Sequence, residues 1–81
     1  MDEIRVEHDV ETGVFTILIT QEPPYKERRI TSNIIVGLNP DGMLIRLTIV
    51  ELGAEIPYNM LKEEFFLTEP IMDRIRQLLP Y

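Results

Sequence analysis

The sequence predicts an α+β fold: an antiparallel β-meander of four or five strands with one or two C-terminal helices packed on one face. Three observations predict it. Up to Leu52 the chain falls into short apolar runs with a period of two. Turn residues separate those runs, above all Asn39-Pro40-Asp41-Gly42. Past Gly53 the pattern becomes helical. At 81 residues the chain is expected to form one domain, with 1–52 the meander and 53–81 the helical segment.

The first strand follows from Ile4, Val6, His8 and Val10 alternating with Arg5, Glu7 and Asp9, after which Glu11-Thr12-Gly13 turns the chain. Val14 to Thr20 is β-branched, aromatic and apolar on both faces, as an interior strand should be. Gln21-Glu22-Pro23-Pro24 breaks it. Tyr25 to Ile30 contains Lys26-Glu27-Arg28-Arg29, charges that suit an edge strand protected from unwanted pairing. The central hairpin joins Asn33–Leu38 to Met43–Leu52. Pro40 sets the φ of the first central turn position, and Gly42 supplies the left-handed residue that closes the loop with a bulge. In the second arm, strict alternation sends Met43, Ile45, Leu47 and Ile49 one way and Leu44, Arg46, Thr48, Val50 and Leu52 the other. Pro57 with Tyr58, Leu61 and Phe65 then predicts a short helix. Thr68 or Glu69 caps a second, with Pro70 in its first turn, the stripe Ile71, Met72, Ile75, Leu78, Leu79 on one side and Pro80 at its end.

Composition excludes several classes. An apolar fraction of 44% and a charged fraction of 27% are those of a folded globular chain rather than a disordered one. No segment approaches the ~20 apolar residues of a membrane span, and the acidic start Met1-Asp2-Glu3 is unlike a signal peptide. A cytoplasmic protein is the expectation. With no cysteine there is no thiolate nucleophile, disulfide or Cys-based metal site. The net charge of −6 is uneven: residues 1–24 hold six acids and one base (−5), 25–52 four bases and three acids (+1), and 53–81 three bases and five acids (−2). Duplex DNA and anionic membranes suit such a chain poorly, and a basic protein partner suits it better.

One resemblance rests on particular residues. Asp9-Val10-Glu11-Thr12-Gly13-Val14, then Ile17-Leu18-Ile19, then Ile34 to Leu44 across the Asn39-Pro40-Asp41-Gly42 turn, and Ile49 to Ala54 resemble the short family called domain of unknown function 2283. The likeness covers roughly residues 4–56, departing from the family pattern at Asn39-Pro40 and Leu47-Thr48. It implies a small sheet protein often encoded beside putative toxins, and it transfers no catalytic residue.

Candidate chemistry is sparse. His8, the single histidine, lies among Glu7, Asp9 and Glu11, which motivates a small-ligand-binding or hydrolytic cleft. Neighbouring strand residues point to opposite faces, so a surface strand histidine beside a solvated acidic turn accounts for the same residues. Ser32 lacks a nucleophile elbow, and Asp41-Gly42 is followed by Met43-Leu44-Ile45 in place of calcium-binding oxygens. Gly13, Gly37, Gly42 and Gly53 form no phosphate loop. Lys26, Arg28 and Arg29 beside Tyr25 offer a weak nucleic-acid patch, diluted by Glu22 and Glu27. No catalytic, cofactor or metal residue is therefore expected. The apolar surplus is the functional clue: one short helical layer cannot cover both sheet faces, so Val14, Leu18, Leu44, Val50 and Leu52 are expected to form an outward interface. A non-enzymatic interaction protein follows, homodimeric through its sheet, with an antitoxin-like role toward a basic partner as one extension.

Overall fold

The computed structural model describes residues 4–80, so Met1-Asp2-Glu3 and Tyr81 lie outside the described residues. The chain forms β1 (Arg5–His8), β2 (Phe15–Leu18), β3 (Lys26–Thr31), β4 (Ile34–Leu38) and β5 (Leu44–Ile49), then α1 (Tyr58–Phe65) and α2 (Glu69–Leu78). The strands build one antiparallel sheet in the order β1-β2-β5-β4-β3, followed by two helices, the expected α+β architecture.

The edge place of β3 follows from charge. β3, β4 and β5 run consecutively, while the β1–β2 hairpin docks against β5 in the manner of a Greek key. β2 is buried at Phe15 and Ile17, whereas β3 exposes every residue except the half-buried Ile30. An interior β3 would bury Lys26, Arg28 and Arg29 without partners, so it takes the edge.

The hairpin has the predicted chemistry. Gly42 adopts φ +84°, and its N–H donates to the Asn39 carbonyl at 2.9 Å. Asn39 Oδ1 accepts from the N–H groups of Asp41 and Met43, both at 2.9 Å, tying the loop from within. Gly42→Ala should cost about 1–2 kcal/mol through the left-handed backbone alone, read as a lower denaturant midpoint with an unchanged slope.

The core lies between one sheet face and the helices. Phe15, Ile17, Ile34, Val36, Leu47 and Ile49 meet Leu61 and Phe65 of α1 and Met72 and Ile75 of α2. Thr68 stands extended at the N-cap of α2 with Pro70 in the first turn, the predicted positions, but its side chain makes no capping hydrogen bond. At the end of α1, Phe66 takes a left-handed conformation at φ 60°, and the Leu61 carbonyl accepts the Phe66 and Leu67 N–H groups.

Leu44 departs from strict alternation. Leu38 pairs with Leu44, but Gly37 pairs with Arg46, so Ile45 is an extra residue that bulges β5. The bulge turns Leu44 into the core, 6% exposed, alongside Leu38 and Leu47. Ile45, only 2% exposed, stands outside that cluster. The expected outward placement of Leu44 is thereby corrected, because one inserted residue flips the alternation upstream of it. Val10 departs similarly: Asp9 bends the chain and leaves Val10 exposed in the turn rather than in the first strand.

The link from β2 to β3 crosses the end of the sheet. The N–H groups of Ile19 and Thr20 both donate to the Ile45 carbonyl, and Tyr25 N–H donates to the Leu38 carbonyl. Between them Pro24 lies over the side of Gly37 that faces away from the helices: a Cβ built on Gly37 would sit 3.2 Å from Pro24 Cβ and 3.0 Å from Arg46 Cβ. This strap closes one end of the outer face. The other end stays open.

Candidate interaction surface

The cross-strand register assigns the outer face. One row runs Glu7, Thr16, Thr48, Ile35, Arg29 from the β1 edge to the β3 edge. The row beside it runs Arg5, Leu18, Arg46, Gly37, Glu27 and passes under the strap at Gly37. Val14 and Val50 continue β2 and β5 beyond the first row, where Val50 N–H donates to the Asn33 carbonyl at 2.8 Å. Val14, Thr16, Leu18, Ile35, Thr48 and Val50 are all half-buried, and both helices pack on the opposite side of the sheet. Arg5, Glu7, Glu27 and Arg29 at the edges are exposed.

Three of the five residues expected at the interface therefore share this face: Val14, Leu18 and Val50. Leu44 is in the core, and Leu52 lies past β5 in the loop leading to α1. Thr16, Ile35 and Thr48 complete the surface and were not singled out by the sequence. Parity with Val14 and Leu18 marks Thr16, but placing Ile35 opposite Thr48 requires knowing the bulge at Ile45.

Arg46 is the cation at the centre of the face. Its Nε is buried with no hydrogen-bond partner among the described residues, and its Cδ lies 3.8 Å from the Gly37 Cβ position, so the side chain leans toward β4. Arg29 Nη1 donates to the Ser32 carbonyl at 2.7 Å. The three bases Lys26, Arg28 and Arg29 do not form one patch. Lys26 and Arg28 pair with the core residues Leu38 and Val36, so they point to the helix side, where the Arg28 guanidinium lies 5.8 Å from the Phe65 ring centre. Arg29 points to the outer face.

A shallow open depression lies at the β1–β2 edge, lined by Glu7, His8, Asp9, Thr12, Val14 and Thr16. His8 packs against Phe15 with ring centres 5.7 Å apart. Among the described residues no group of three metal-ligating side chains converges. Asp9 instead holds the turn: its Oδ1 accepts from Glu11 N–H at 3.0 Å and Thr12 N–H at 3.3 Å. Those two backbone donors hold the Asp9 carboxyl below its ordinary value. A depressed folded-state pKa stabilises the fold above the unfolded-state value and loses that contribution as pH falls through the folded one. Asp9→Asn should therefore lower Tm at neutral pH, with the gap to wild type closing below the ordinary aspartate range in a pH series of thermal melts.

The fold and this surface define a class: a small α+β protein with helices on one sheet face and a half-buried, charge-flanked second face. No family model matches the chain, and neither does any curated protein or solved structure with which it was compared. No helix among the described residues is long and apolar enough to cross a membrane.

Proposed function

We propose that this protein is a non-enzymatic interaction module that associates with a second copy of itself through the outer sheet face. The observation that carries this reading is the strip of Val14, Leu18, Ile35 and Val50 around Thr16 and Thr48, left half-buried while the helices cover the other side. Burying such a strip gains roughly 25 cal/mol per Å² of apolar area. The open face measures roughly 20 by 17 Å, a footprint on the order of 350 Å² per copy. A standard interface buries about 800 Å² per partner, so the dimer should be weak and dissociate on dilution. Light scattering coupled to size exclusion, run from about 10 µM to about 1 mM, should show the mass rising from one chain toward two. A constant monomer mass over that range sinks the reading.

The surplus of acid, −6 overall, extends the reading to a basic protein as a further, antitoxin-type partner. Co-purification with a basic protein from the native host would support the extension, and an empty result would count against it. The depression at His8 favours a second reading, a small-ligand-binding or hydrolytic site. A thermal-shift screen with divalent metals and metabolites checks it: a specific ligand well above its Kd raises Tm. No shift with any compound removes that reading.

A further inference from the structure

The edge charges of the outer face point to one arrangement of the two copies: face to face, related by a two-fold axis that runs along β5, parallel to the strands. This inference rests on the self-association proposed above and specifies its geometry. β5 is the middle strand of β1-β2-β5-β4-β3, so rotation about it lays each copy's β1 edge over its partner's β3 edge. The charges at those edges are opposite in both rows, with Glu7 facing Arg29 across one row and Arg5 facing Glu27 across the other. The rotation therefore sets Glu7 against Arg29 twice and Arg5 against Glu27 twice. Isologous contacts repeat each pair in this way.

The interior of the face fits the same operation. β2 falls over the partner's β4, placing Thr16 against Ile35 in the open row and Leu18 against the Pro24 strap that covers Gly37, while Val50 and Thr48 meet their own copies at the axis. Arg46 also lies on β5, but it leans toward β4, so the two guanidiniums sit on opposite sides of the axis. The competing axis, perpendicular to the strands, fares worse. Centred on the open row, it brings Glu7 over Glu7 and Arg29 over Arg29. Centred between the rows, it opposes Glu7 to Arg5 and Arg29 to Glu27 but lays the open row onto the row crossed by the Pro24 strap. Of these rotations only the strand-parallel one joins open end to open end while opposing unlike charges; it also sets strap against strap, so the contact centres on the row of Glu7, Thr16, Thr48, Ile35 and Arg29.

The test uses Glu7→Arg and Arg29→Glu, separately and mixed in equal amounts, by sedimentation equilibrium at low salt. Each variant alone should dimerise about tenfold or more weakly than wild type, since two attractive contacts become repulsive. The mixture should regain wild-type affinity within about threefold, because in a pair of unlike copies the charge at position 7 again meets its opposite at position 29 along both edges. Arg5→Glu and Glu27→Arg, tested identically, leave the Arg29–Ser32 hydrogen bond intact and should behave the same way. Circular dichroism verifies that each variant folds. If wild type dimerises but mixing rescues neither pair, this axis is wrong while self-association stands. If wild type stays monomeric throughout, the underlying reading falls with it.

Discussion

Leu44→Ala is expected to destabilise the protein by about 2–4 kcal/mol, whereas Leu18→Ala should cost less than about 1 kcal/mol. The contrast isolates the bulge. Both leucines fall on the outer face if β5 alternates strictly from Met43, yet the pairing of Leu38 with Leu44 and of Gly37 with Arg46 inserts Ile45 and swings Leu44 under the helices. At 6% exposure, Leu44 cannot be truncated without leaving a void against Leu38 and Leu47. In a domain of this size such a loss lowers Tm by roughly 10 °C or more, which calorimetry reads directly. Equal small effects at both positions would mean that β5 is regular and Leu44 solvated.

Gly37→Ala should cost about 1–3 kcal/mol although Gly37 has an ordinary backbone conformation. The cause is space rather than φ. A Cβ there meets Arg46 Cβ at 3.0 Å and Pro24 Cβ at 3.2 Å, and neither carbon is the free end of a flexible side chain. Either the strap lifts or the β4–β5 pair spreads. Combining Gly37→Ala with Pro24→Gly should recover part of the loss in a double-mutant cycle, because one of the two obstructing carbons is then gone. Strict additivity would show that the strap does not touch Gly37 in solution.

Much of this architecture is legible in the sequence, because local chemistry agrees with the tertiary fold where turns and charges dominate. Asn39-Pro40-Asp41-Gly42 specifies its own loop, Lys26-Glu27-Arg28-Arg29 specifies an edge, and Leu61, Phe65, Met72 and Ile75 mark the buried sides of the two helices. Three features are not legible. The docking of β2 on β5 is a long-range choice that no local pattern encodes. The bulge at Ile45 sits in a run apolar at nearly every position, where a shift of one residue leaves no mark on hydrophobic patterning. The strap is visible as a Pro-Pro break, but its contact with Gly37 appears only once both ends of the crossing are placed. Those same features decide the interaction surface. They remove Leu44 from it, place Ile35 opposite Thr48, and close one end.

The claim that the outer face is the contact surface is tested most directly by diluting isotope-labelled protein and following its amide resonances. From about 1 mM to about 20 µM, shifts should move at Val14, Thr16, Ile35, Thr48 and Val50 and stay fixed along α1 and α2. Shifts confined to the helices, or no concentration dependence at all, would contradict it.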